Sequence, residues 1–368
     1  MAKAPVTLKF ANFQTDNIFS KWFRILTYVG CNSLYLKDGI VRWSRIGHVY
    51  PMLTLLLNAL LIVYSIYKTV FDPPRRESFL LRYLKCFQNI VFYLLPILFY
   101  VFMHFKVNNW NRLIELLRNV EILFGFRTKV RLELFLLAAA PTIIGATVEM
   151  FIFFERVVLE GFMEIYTILS FVVSFFAINF YYVILKIIRQ HFERSKMKIS
   201  KLDHDLMNDV MKIVNTLLIA CSEVNAIYGP QILVSLFCYF LLLTAEIYSI
   251  ICTAGKITTT ESLISFTWAY SYFIQIAVLI YSSAEATKQA NEFNETLYRM
   301  IMADKNDVFS RNYKVNTHLA NQKTAVFTAC GWFTIDYTTS CSMIATSATY
   351  LIILLQMGGT SLGEEPEE

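Results

Sequence analysis

The chain has 368 residues, of which 56% are hydrophobic and 17% charged, with a net charge of +5 and a mean hydropathy of +0.48. Soluble domains average about 25% charged residues, and a chain of this length buries a full core with far less apolar residue. The surplus must face lipid, which excludes a soluble enzyme and leaves no basis for a nucleic-acid partner.

Residues 1–46 hold no apolar core within the first twenty or so positions, so no cleaved signal peptide is expected and the segment reads as cytoplasmic. A helix needs about 20 mainly apolar residues to cross a bilayer. Seven segments qualify: Val49–Val70, Cys86–Phe105, Leu132–Phe154, Phe162–Ile188, Pro230–Thr253, Leu263–Ser283 and Tyr337–Met357. The expected fold is therefore all-α, a polytopic membrane protein with seven transmembrane helices. The N-terminus and the second–third, fourth–fifth and sixth–seventh connections hold 26 of the 33 Lys and Arg residues. That bias places the N-terminus in the cytoplasm and the C-terminus outside. A G-protein-coupled receptor has the opposite orientation. Its acidic-Arg-aromatic triplet after the third helix and its N-P-x-x-Y in the seventh are both missing.

The cytoplasmic connections are patterned. Asn108–Phe126 repeats Leu113, Leu116, Leu117, Val120 and Phe124 at helical spacing. A helical pattern also runs from Leu202 into the fifth span, with a kink expected at Gly229-Pro230, and the sixth helix continues well past the membrane. These extensions (108–127 and 190–228) could pack into an inward bundle. The domain plan is a six-helix ligand-binding region over 47–283, an anchor over 284–336, a pore helix over 337–357 and an extracellular tail over 358–368.

Seven cysteines, mostly inside apolar runs and without C-x-x-C spacing, read as small buried hydrophobes rather than a disulfide framework. The five histidines are scattered, and no G-x-S-x-G, H-E-x-x-H, P-loop or dinucleotide motif occurs. No catalytic residue, metal or cofactor is expected. The Asn294 sequon falls on the cytoplasmic side and should stay unglycosylated.

The last helix is unusual. At 100° per residue, with Gln356 at zero, Thr338, Thr349, Ser342, Ile353, Thr346 and Thr339 fall between about 0° and 100°, while Leu351, Ile344 and Leu355 lie on the other side. Its 21 residues span about 31 Å, so one hydroxyl stripe crosses the whole hydrocarbon layer. Small hydroxyl residues also serve helix–helix contacts. A row facing water is what a weakly selective pore without fixed charge requires.

Here the residues carry a resemblance. Ala325–Met357, AVFTACGWFTIDYTTSCSMIATSATYLIILLQM, resembles the C-terminal signature of insect gustatory receptors. That signature ends on T-Y, five mostly apolar residues and Q-F, matched by Thr349-Tyr350 and Gln356. The upstream pattern is matched by Phe327, Thr328, Ala329, Gly331, Phe333, Ile335 and Asp336. The chain departs at Met357, where the family has Phe, and Leu351 replaces the Glu of the sugar clade. The resemblance implies a tastant-activated, ligand-gated, non-selective cation channel at the plasma membrane. Four subunits would surround one pore, as a homotetramer or a hetero-oligomer with related receptors, with lipid around them and permeant cations inside. The implied pore and gate residues are Ile353, Gln356, Met357, Thr349, Thr346 and Ser342. About Asn321–Asp336 would form the inner half of the seventh helix. Each subunit would hold a pocket open to the outside among helices two to six. There the topology places Gln88, Tyr93, Glu149, Phe153, Tyr166, Ser170, Glu246, Trp268, Tyr272 and Gln275, with Tyr248 beside Glu246. Carboxylates among aromatic rings suit a cationic or hydroxyl-rich small molecule. The alternatives are a secondary transporter, for which no internal repeat is found, and a metabotropic receptor.

Overall fold

The computed structural model describes residues 14–30, 32–71, 79–124, 158–199, 204–253, 259–304, 311–321 and 324–360. In chain order these form α1 (Gln14–Tyr28), β1 (Leu34–Lys37), β2 (Ile40–Trp43), α2 (Arg45–Phe71), α3 (Phe79–Phe105), α4 (Val107–Phe124), α5 (Val158–Ile199), α6 (His204–Thr253), α7 (Thr259–Ala303), α8 (Tyr313–Asn321), β3 (Thr328–Ala329), β4 (Phe333–Thr334) and α9 (Tyr337–Thr360). Among the described residues six helices are long and apolar enough to cross a membrane: α2, α3, α5, α6, α7 and α9. The expected span Leu132–Phe154 lies outside the described residues, and so do Glu149 and Phe153.

The described part of residues 14–46 contains more structure than its composition suggests. In α1, Phe19, Trp22, Phe23 and Leu26 recur at helical spacing and all are buried. They enter an aromatic cluster in which Trp110 of α4 stacks on Phe180 of α5 at 5.4 Å, with Trp22 on the same ring at 5.5 Å. Phe23 meets Trp110 edge-on at 5.3 Å, and Tyr228 of α6 meets it edge-on at 5.7 Å. Each such pair adds about 0.5–1.5 kcal/mol beyond area burial, so the cluster welds the N-terminal helix onto α4, α5 and α6. The hairpin β1–β2 turns through Asp38 and Gly39, both at positive φ (53° and 72°), as a two-residue turn requires. Arg118 of α4 donates to Asp16 at 3.0 Å and to the Gly39 carbonyl at 3.1 Å. A Cβ on Gly39 would collide with that guanidinium. Asn111 pairs with both backbone groups of Val41.

α5, α6 and α7 run 42, 50 and 45 residues, far beyond one bilayer thickness, and their extensions pack into a bundle. α6 continues unbroken through Gly229 and Pro230. The glycine has a packing role: a Cβ there would stand 3.2 Å from the backbone nitrogen of Cys330.

Residues 324–336 depart from expectation. They do not form the inner half of the last helix: α8 ends at Asn321, and β3–β4 form a hairpin with Ala329 opposite Phe333. Cys330 and Gly331 take positive φ (54° and 77°) in its turn, a backbone shape no helix accommodates. The hairpin docks on α6. Asn225 donates to the Val326 carbonyl at 2.7 Å and accepts from the Thr328 N–H at 3.2 Å, while Phe327, Ala329 and Ile335 are buried. Asn225 and Gly229, four residues apart, share one face of α6, so one face both ties the hairpin and lets it approach. The cysteines also differ from expectation. Cys221 and Cys238 are buried, but Cys330 and Cys341 are exposed, because one lies in this turn and the other on the open side of α9.

Candidate functional site

α9 starts where Asp336 caps it. The carboxylate accepts the N–H groups of Thr338 (2.9 Å) and Thr339 (3.2 Å) and the hydroxyls of Thr338 and Thr334. The Thr338 hydroxyl first, and the other donors with it, hold the Asp336 carboxyl below the usual aspartate range. Three sectors follow along the helix. Between about 140° and 220° lie Met343, Leu354, Ser347, Ser340 and Leu351, and this side meets the rest of the subunit. Ser347 pairs with Thr244 of α6 at 3.3 Å, and Met343 packs on the core. Ile344, Ile352 and Leu355 form an apolar flank from about 240° to 320°, with Ile344 and Ile352 exposed. The remaining sector is the hydroxyl stripe, and Ser342, Thr346, Thr349, Ile353 and Gln356 are all exposed on it. Its hydroxyls bond back to carbonyls four residues earlier: Ser342 to Thr338, Thr346 to Ser342, Thr349 to Ala345, at 2.8–3.1 Å. Each donor is thereby satisfied, which leaves the oxygen lone pairs pointing outward. None of the 18-residue apolar window of α9 is buried. Packing within the subunit uses the opposite side, so it does not account for the stripe. The side chain of Met357 lies outside the described residues.

The second constellation sits among α2, α3, α5, α6 and α7. Gln88 of α3 donates to Glu246 of α6 at 3.1 Å. The Ser265 hydroxyl and the charge of Lys85 reach Glu246 as well. Tyr93 of α3 pairs with Thr167 of α5 at 3.1 Å, and Tyr166 donates to the Thr54 carbonyl of α2 at 3.2 Å. Ser170 approaches Asn58 at 3.5 Å. Trp268 and Tyr272 stack at 5.9 Å and belong to a ring cluster with Phe92, Phe171 and Tyr239. Gln275, one turn from Tyr272 on α7, is buried, as is Tyr248. The candidate residues thus fall into three groups: a Gln–Glu pair, a hydroxyl group and an aromatic wall. The arrangement brings together ring faces, hydroxyls and one carboxylate, the kinds of group that small-molecule sites use. An apolar groove of about 740 Å³ lies elsewhere, between α6, α7 and α9, with Ile344, Ser347 and Leu351 on its α9 wall.

A family model described as 7tm chemosensory receptor matches residues 20–358. The chain belongs to that family. No curated protein sequence matches it significantly. The receptor shares its fold with the insect olfactory receptor OR5 from Machilis hrabei, at 14% identity and a TM-score of 0.67, over 93% of this chain and 99% of that one. The same olfactory receptor in complex with eugenol gives a TM-score of 0.70 at 14% identity, over 93% and 100% of the two chains. Multiple apolar helices and membership of this family make the receptor a multi-pass membrane protein. The family is one of chemosensory receptors and not a class of enzymes.

Sequence reasoning missed several neighbours of the candidate residues in the receptor. Asn58 and Thr54 of α2 reach the hydroxyl group, and Phe92 and Phe171 complete the aromatic wall. Asn58 carried a signal, a lone amide inside the run LLLNALL, where a polar group must find a partner. Phe92 and Phe171 carried none, since every helix here is rich in Phe.

Proposed function

We propose that the receptor is a tastant-activated, ligand-gated, non-selective cation channel subunit of the gustatory type, with four subunits around a central pore in the plasma membrane. The N-terminus is cytoplasmic, seven helices cross the membrane, and α9 lines the pore. The observation that carries this reading is the sectoring of α9. The side facing its own subunit is not the hydroxyl side, and an open stripe of lone pairs suits water and hydrated cations better than hydrocarbon. The apolar flank with Ile344 and Ile352, bordering the 740 Å³ groove, is where lipid or a neighbouring subunit lies. The anchor is then the inward bundle with the β3–β4 hairpin. Ile353, Gln356 and Met357 form the outer constriction, with Thr349, Thr346 and Ser342 beneath it.

The ligand site is the outer-half constellation of Gln88, Tyr93, Tyr166, Ser170, Glu246, Trp268, Tyr272 and Gln275, completed by Glu149 and Phe153. The fold it shares with a eugenol-bound olfactory receptor supports a small organic ligand. The carboxylates and hydroxyls favour cationic or polyhydroxylated molecules over anions. The receptor alone is expressed in oocytes and currents are recorded across a tastant panel. Agonist-evoked, reversible cation currents without G-protein dependence are expected. Currents abolished by G-protein block overturn the reading.

A further inference from the structure

A polar cavity of about 250 Å³ lies between α5 and α7, lined by Tyr182, Lys186, Arg189, Glu193, Tyr281 and Glu285 among others. Neither the pore nor the tastant site uses it. Tyr182, Lys186, Arg189 and Glu193 are spaced four, three and four apart, so they share one face of α5; Tyr281 and Glu285 do so on α7. The segments read as crossing the bilayer end at Ile188 and Ser283, inside this stretch, so the cavity straddles the membrane–water boundary on the side assigned to the cytoplasm.

The Arg189–Glu285 pair is loose. Arg189 lies 3.7 Å from Glu285 and 3.5 Å from the Tyr281 hydroxyl, and Lys288 is 3.8 Å from the same carboxylate. Charge-assisted hydrogen bonds close to about 2.7–2.9 Å, so Arg189 keeps its fork for a better acceptor. Lys186 lies over the Tyr182 ring at 5.5 Å. The lining pairs two cations with two carboxylates. A polyanion would meet Glu193 and Glu285 as well as the cations. A group carrying one negative and one positive charge would not. The order of charges is also directional: Lys186 and Arg189 sit nearer the hydrocarbon, and Glu193 lies about 6 Å farther toward water along α5.

We propose that this cavity binds a zwitterionic phosphodiester headgroup, of the phosphatidylethanolamine or phosphatidylcholine kind, from the inner leaflet. The phosphodiester sits on Arg189 and Lys186, and the ammonium reaches Glu193 and Glu285. A phospholipid presents its phosphate next to the acyl chains and its ammonium outward, in the order the helix displays. Glu285 also accepts the Tyr337 hydroxyl at 3.4 Å, and Tyr337 opens α9, so a seated headgroup would touch the base of the proposed pore helix. The assignment rests on the membrane placement proposed above.

The test is native mass spectrometry of the full-length receptor, purified in detergent, stripped of lipid and titrated with phosphatidylethanolamine, phosphatidylglycerol or soluble glycerophosphoethanolamine. Phosphatidylethanolamine should form a saturable adduct, and Arg189→Ala should weaken it about tenfold, the scale of one charge-assisted hydrogen bond. Glu193→Gln should erase the preference over phosphatidylglycerol, which has the phosphodiester without the ammonium. Arg189→Lys keeps the charge without the fork, and should lie between wild type and Arg189→Ala even if the alanine variant folds poorly. An adduct unaffected by either Arg189 change, or equal binding of phosphatidylglycerol to wild type, overturns the proposal. Equal affinity for the soluble headgroup overturns the membrane source. The readout needs no current, so it stands apart from the channel reading, and tagged termini test the orientation separately.

Discussion

Asn225→Ala tests the link between the subunit core and α9. The substitution removes two hydrogen bonds, at 2.7 Å to the Val326 carbonyl and 3.2 Å to the Thr328 N–H. A typical hydrogen bond contributes a net of about 0.5–1.5 kcal/mol. The bond to Val326 is exposed, so water partly replaces it and belongs at the low end. The Thr328 N–H is half-buried and loses more. Together they amount to about 1–2 kcal/mol, against which alanine recovers about 0.5 kcal/mol of helix propensity over asparagine. The net loss of about 1 kcal/mol should lower the thermal midpoint of the purified receptor by a few degrees. It should also shift agonist potency, because Ile335 and Asp336 lead from the hairpin directly into α9. An Asn225→Ala receptor that melts and responds like wild type would mean the hairpin is held by burial of Phe327, Ala329 and Ile335 alone, and the clamp reasoning fails.

Gly229→Ala should destabilise despite the better helix former, through its contact with Cys330 and through the Cβ clash that a residue before proline suffers in a helix; in a Pro230→Ala background only the hairpin share of the loss should persist, and no residual loss there refutes the close-approach role. Asp336→Ala should cost about 0.5–2 kcal/mol as a lost N-cap and Asp336→Asn little. Because the folded carboxyl sits below its unfolded value of about 3.9, its stabilisation is complete above that pH and is lost as pH falls through the folded value; melting curves at pH 5–8 should therefore show no pH dependence from this group, and a change centred near pH 6 in wild type but not in Asp336→Asn contradicts the assignment. Glu246→Gln should weaken a cationic agonist by about 1–3 kcal/mol and spare single-channel conductance; altered conductance with intact potency moves Glu246 to the ion path.

What the sequence disclosed follows the range of each signal. Apolar runs and helical periodicity are local, so all six described spans were placed with ends within about eight residues, apart from the helical extensions, and the amphipathic Asn108–Phe126 stretch became α4. The hydroxyl stripe was also local. Which side of α9 its own subunit covers was not, because it depends on Thr244, 103 residues away from Ser347. The same holds for Gln88 and Glu246, 158 residues apart. The Asp38-Gly39 turn and the α1 aromatic stripe were legible but lay in a segment read only for charge and for a signal peptide. The β3–β4 hairpin was masked by its neighbour: the mostly apolar Thr328–Ile335 run leads straight into α9, and only Gly331 and the capping Asp336 mark the boundary.

The central claim is that the hydroxyl sector of α9 faces an ion path. Single cysteines are placed at Ile353, Gln356, Leu351 and Leu355 in a background where the exposed Cys341 and Cys330 are serine, and agonist-evoked current is recorded before and after an extracellular thiol reagent. Modification should change the current for Ile353→Cys and Gln356→Cys and leave Leu351→Cys and Leu355→Cys unaffected. Equal effects around the helix, or none at Gln356, would place the stripe in a packing contact and remove α9 from the pore.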